Sequence, residues 1–192
     1  MLYIRHRINT ASELAGVPVE MGIELDLRYR GNDLILQHDP YKDGERFDEF
    51  LNGYRHALMI MNVKSEGIEQ KTLELVKSRE IKDYFFLDLS FPMIMKLSRT
   101  GIRDIAVRYS EHEPLEQCLA LKGLVKWVWV DCFTRCPLDD KSFSELKRHF
   151  RMCLVSPELQ KHPLERIAEF KKQLAAYDID AVCTKKPELW RD

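Results

Sequence analysis

Two histidines frame a pair of carboxylates near the start of this chain: His6-Arg7, then Glu24-x-Asp26, then His38-Asp39. One imidazole can take a proton from an attacking oxygen while another returns one to a leaving oxygen. A hard divalent ion on the two carboxylates would neutralise a phosphate between them. That combination is what phosphodiester cleavage requires. Arg7 adds a fixed-charge fork suited to phosphate oxygens, and Lys64 adds a second cation at the end of a later strand.

Glu24 and Asp26 stand two apart, so on a strand their side chains share one face about 7 Å apart along the backbone. On periodicity alone this is the polar face of a half-buried strand. In a barrel, that face turns either into the lumen or under the helix layer, and neither is a cheap place for a carboxylate. The pair therefore reads as functional.

The elements that must position these residues recur along the chain. β-Rich runs fall at 3–6, 22–27, 58–63, 84–89, 105–109, 127–131, 152–155 and 180–184, with amphipathic segments such as 68–77 and 164–177 between them. Eight strands alternating with helices predict an α/β architecture, a compact (β/α)8 TIM barrel forming one domain over residues 1–192. One further strand breaks the period. A turn at Asn32-Asp33, after Gly31, folds 34–39 back as a hairpin that delivers His38 to the pocket mouth. The chain is short for the architecture, so its helices are expected to be short and part of the outer surface is open to a homo-oligomeric partner.

With 45% hydrophobic residues and a formal net charge of -1, the composition is that of a globular domain with no global basic field. Bulk attraction to nucleic acid or to an anionic membrane is not expected, whereas local phosphate binding is. No apolar run reaches bilayer length and the opening residues read as a strand, which places the protein in the cytoplasm. The five cysteines are odd in number and scattered, the pattern of reduced thiols; Cys132-x-x-x-Cys136 lacks the second pair that a zinc site needs.

Other features are weaker. Trp127, Trp129 and Asp131 alternate on one strand face and fit either a pocket lining or packing under helices. Arg108 and Lys185 are expected to be solvated, as are His56, His112, His149 and His162. Phosphate-loop, dinucleotide and nucleophile-elbow motifs are absent.

These residues resemble the glycerophosphodiester phosphodiesterases, within the phosphatidylinositol-phospholipase-C-like phosphodiesterases. The likeness rests on His6-Arg7, Glu24-x-Asp26, His38-Asp39, the Ser90-Phe91 pair and the ending from Asp178 to Leu189. It implies a (β/α)8 barrel, cleavage of a small-molecule phosphodiester, His6 and His38 as the acid/base pair, and Arg7 and Lys64 on the phosphate. The family's Glu-x-Lys on the third strand is Asn62-x-Lys64 here, and the glycine after His-Arg is Ile8. Glu24, Asp26 and Asn62 would then hold Mg2+ or Ca2+ weakly. Two rivals stand beside this reading. One is a non-catalytic descendant that binds a phosphorylated small molecule. The other is a glycosidase, which two carboxylates on one strand fit poorly.

Overall fold

Strands form where β-branched and aromatic residues cluster. In the computed structural model, which describes residues 1–191, they are β1 (Leu2–Arg5), β2 (Gly22–Arg30), β3 (Asp33–Leu36), β4 (Glu45–Arg46), β5 (Met59–Val63), β6 (Tyr84–Leu87), β7 (Ala106–Tyr109), β8 (Trp127–Val130), β9 (Arg151–Val155) and β10 (Ala181–Thr184). The eight periodic strands and the extra hairpin strand thus fall where the sequence places them. Helices follow most of them, and the architecture is α/β.

The chain divides into two compact units, one of residues 5–90 and one of residues 1–4 with the chain from Phe91 onward. In the first unit β2 is central. It runs parallel to β5, with Asp26 beside Asn62, and antiparallel to β3. Outside them, β5 pairs β6 and β3 pairs β4. The hairpin register joins Arg30 to Asp33, so the tight turn is Gly31-Asn32, one residue earlier than expected. Gly31 takes φ +61°, which a glycine tolerates at no steric cost. In the second unit the order is β1-β10-β9-β8-β7, with parallel pairing from β10 through β7.

The closed barrel is corrected by this pairing. Among the described residues β6 bonds only β5, and β7 bonds only β8. A closed barrel leaves no strand with a free edge, and closure depends on strand tilt and stagger, which periodicity along a chain does not encode.

Both faces of β2 and β5 are covered: Gly22–Leu27 and Met59–Val63 are buried throughout. Ile23, Leu25 and Leu27 alternate with Glu24 and Asp26, so the same pleat that builds the core sets the carboxylates together on the opposite face. The helix Ala11–Ala15 opens on a capping box formed by Thr10 and Glu13, which fixes the chain just after His6 and Arg7. The helix expected over 68–77 forms at Glu69–Ser78, and that over 164–177 is shorter, Arg166–Gln173. No helix among the described residues is long and apolar enough to cross a membrane. All five cysteines are buried free thiols.

Candidate functional site

Glu24 and Asp26 are each 1% exposed, and the partners of their carboxylates come from two segments of the first unit, residues 6–9 and 62–64. The main-chain N–H of Arg7 donates to Glu24 Oε2 at 2.8 Å, and the Ile8 N–H donates to the Glu24 carbonyl at 2.8 Å. Arg7 reaches this position with φ +57°, a left-handed conformation unusual outside glycine. Such a residue stores about 1–3 kcal/mol of strain and marks a place the surroundings over-determine. His6 Nε2 lies 3.6 Å from the same carboxylate oxygen. The β1 exit is thereby folded onto the β2 carboxylates.

Asn62 enters from β5 and donates its amide N–H to Glu24 Oε1 at 3.0 Å. Its Oδ1 is buried and accepts no hydrogen bond among the described residues. An unmet buried acceptor costs about 1–3 kcal/mol, so this oxygen is poised for a ligand atom. Lys64, two residues on, sets Nζ 3.7 Å from Asp26 Oδ1 and 3.3 Å from Asp88 Oδ2. The Arg7 guanidinium lies 3.7 Å from Asp26 Oδ2.

Burial, then the neighbouring Asp26, pushes the Glu24 carboxyl up to about 7, against the opposing pull of the Asn62 amide, the Arg7 N–H and Lys64. Lys64 and Arg7 already stand 3.7 Å from Asp26, so any further cation would share the two carboxylates with them. The donor set toward one is oxygen only, as Mg2+ and Ca2+ prefer: Glu24, Asp26 and the unmet Asn62 Oδ1. No group of three or more histidines, cysteines and acids able to hold a metal occurs among the described residues. The residues fit a divalent ion with two carboxylates and an amide oxygen, one charge fewer than three acids would give.

His38 is placed differently. Its Nδ1 lies 2.9 Å from Asp39 Oδ1, and with Asp39 held ionised, at about 2, by the His38 ring and then Lys42, the ring nitrogen is the donor. This leaves Nε2 as the nitrogen available for chemistry. Among the described residues, the structure does not bring the imidazole into contact with Glu24 or Asp26; what ties His38 to the site is its main chain. Arg28, two residues beyond Asp26 on β2, donates to the His38 carbonyl at 3.1 and 2.7 Å and to the Lys64 carbonyl at 3.0 Å.

Three contributors were missed in the sequence. Asn9 makes a reciprocal pair with Asp26, its amide donating to Oδ2 and its Oδ1 accepting the Asp26 N–H, both at 2.9 Å. Asp88, which follows β6 at φ +59°, holds Lys64. Arg28 is the third. The signal available for Arg28 and Asp88 was position alone: each lies at the C-terminal end of a strand in the unit that carries the carboxylates.

In the second unit, Arg108 and His162 depart from the solvated reading. Arg108 is half-buried and pairs with Asp131 and Glu113, and Asp131, 1% exposed, also takes Gln160 at 2.7 Å. His162 Nε2 lies 3.2 Å from the Cys132 carbonyl. Trp127 and Trp129 are buried, with the Arg151 guanidinium over the Trp127 ring.

No protein-family profile matches the chain, and no curated protein matches it. Solved structures do. A glycerophosphodiester phosphodiesterase from Agrobacterium tumefaciens superposes with a TM-score of 0.70 at 16% identity, covering 99% of this chain and 98% of that one. A glycerophosphoryl diester phosphodiesterase from Parabacteroides distasonis gives 0.65 at 10% identity over 98% and 84%. A mutant tryptophan synthase α-subunit from Pyrococcus furiosus gives 0.59 at 14% over 95% and 86%. The chain is thus similar in structure to glycerophosphodiester phosphodiesterases at low identity. At such identities the likeness establishes the fold, which the tryptophan synthase subunit shares.

Proposed function

We propose that this chain is a metal-assisted phosphodiester hydrolase acting on a small-molecule phosphodiester, on a barrel-like scaffold of the glycerophosphodiester phosphodiesterase kind. The observation that carries the reading is the convergence of His6, Arg7, Asn62 and Lys64 on two buried carboxylates that share one face of β2. Pure packing would have no use for such a group, since buried charge costs stability unless it is fully paired.

In this reading Glu24, Asp26 and Asn62 would hold Mg2+ or Ca2+, which when bound supplies charge neutralisation at a phosphate oxygen. Arg7, 41% exposed at its side chain, and Lys64, 19% exposed, bind and orient the phosphate. His6 and His38 exchange protons with the attacking and leaving oxygens, His38 through Nε2 because Asp39 occupies Nδ1. The Arg28 clamp holds His38 and Lys64 in a fixed relation, so the proton carrier and one phosphate ligand move together.

A second reading, a binding protein without turnover, is favoured by one observation: each carboxylate already accepts a protein hydrogen bond, Glu24 from Asn62 and Asp26 from Asn9. Hydrolysis of bis(p-nitrophenyl) phosphate and of glycerophosphodiesters, with and without Mg2+ or Ca2+, separates the two. Metal-dependent turnover supports the hydrolase. Phosphodiester binding without turnover in any metal would leave the binding protein.

A further inference from the structure

A second cluster lies at the other end of the same strands. Residues 54–56 lead into β5 and residues 79–83 lead into β6, so they stand at the N-terminal ends of strands whose C-terminal ends carry Lys64 and Asp88. Between them is a cleft of about 650 Å³, within the range of small-molecule sites.

Its lining is rich in groups the protein leaves unmet. Arg55, Arg79 and Lys82 line it, and none is ion-paired with a carboxylate among the described residues, although Arg55 already donates to the Tyr54 carbonyl at 2.5 Å. Arg79 is held in place by the Asn52 amide oxygen and the Asp48 carbonyl, which leaves further N–H groups of its fork for another partner. Tyr54 also lines the cleft. The residue is 6% exposed, and its hydroxyl, itself buried, makes no hydrogen bond among the described residues. His56 completes the set, with Nε2 2.9 Å from the Val17 carbonyl and a buried Nδ1 without a partner. Nε2 must be the donor to a carbonyl, so in the neutral ring Nδ1 is the acceptor.

Stability alone does not favour this arrangement, because an unmet buried hydroxyl and an unmet buried imidazole nitrogen each oppose folding. The donors and acceptors are of two kinds. Three cations and a phenol suit the oxygens of a phosphate, while His56 Nδ1 and the carboxylates of Glu80 and Asp83, also in the lining, suit hydroxyl groups. We propose that this cleft is a binding site for a small phosphorylated polyol, with Arg55, Arg79, Lys82 and the Tyr54 hydroxyl on the phosphate and His56 and Asp83 on its hydroxyls. The site is separate from the carboxylate group and does not depend on what that group does.

The test is calorimetric titration with ribose 5-phosphate, inorganic phosphate and ribose. It is carried out in an Arg7→Ala/Lys64→Ala background, so that phosphate held at the carboxylate group does not contribute. Ribose 5-phosphate should bind at least tenfold more tightly than either fragment. Adding Arg55→Ala and Lys82→Ala, both exposed positions, should weaken it at least tenfold. Tyr54→Phe, which removes one oxygen and keeps the packing, should weaken it several-fold with the circular dichroism spectrum unchanged. Absence of binding in that background, or an affinity that Arg55→Ala/Lys82→Ala and Tyr54→Phe leave unchanged, would overturn the proposal. Neither outcome bears on phosphodiester turnover, which is measured separately.

Discussion

The guanidinium of Arg28 grips the main-chain carbonyl of His38 with two hydrogen bonds, of 3.1 and 2.7 Å, and reaches the Lys64 carbonyl with a third. One side chain on β2 therefore fixes where β3 and β5 end. A lysine cannot reproduce this, since its single ammonium lacks the planar fork.

Arg28→Lys should accordingly lower phosphodiester turnover by at least about tenfold, because small misplacements of a reacting group cost that much or more. Steady-state kinetics beside a thermal melt decides it. Wild-type kcat with an unchanged melt would mean that the carbonyl clamp does not position the chemistry.

His6→Ala and His38→Ala should each cost about a hundredfold or more in turnover, the usual loss for an acid or a base. Asp39→Asn should cost less, since the ring stays and only its tautomer preference is weakened. Near wild-type rates in either histidine variant would remove that residue from the mechanism.

Glu24 carries a sign that can be measured. Its carboxyl sits at about 7 in the folded chain against an ordinary 4.5, so between those values the folded state holds a proton the unfolded state has lost. This contribution to stability is fully present below pH 4.5 and lost as pH rises through about 7. Glu24→Gln should flatten the decline over that window in urea midpoints taken at successive pH. An identical slope in parent and variant would show that another group titrates.

The proposed metal binding would draw on the same carboxylate. A cation needs Glu24 ionised, so affinity for Mg2+ or Ca2+ should rise between pH 5 and 8 with proton release, and Asp26→Asn should weaken it. Calorimetry in two buffers of different ionisation enthalpy reads both effects. No heat from the parent at any pH, with and without phosphate, would favour the binding-protein reading.

Asn62→Glu restores the charge that two acids and an amide leave short. We expect tighter cation binding, and turnover unchanged or raised at limiting metal. If the apparent metal constant of turnover is the same in parent and variant, the Asn62 oxygen does not reach the ion.

Much of this was legible in the amino-acid order. The two-residue spacing of Glu24 and Asp26 set them on one face because a strand alternates, and the strand positions followed from runs of apolar residues bounded by turns. His6-Arg7 and Asn62-x-Lys64 fell beside those carboxylates for the same reason: each lies near the end of a neighbouring strand. The tertiary structure alone decided the rest. Asn9, Arg28 and Asp88 joined the group through contacts between segments, and the left-handed turns at Arg7 and Asp88 were set by partners 17 and 24 residues away. The unmet Asn62 oxygen, the elevated Glu24 carboxyl and the pairing of β6 with β5 and of β7 with β8 likewise depend on burial and strand stagger, which come into being only when the chain packs.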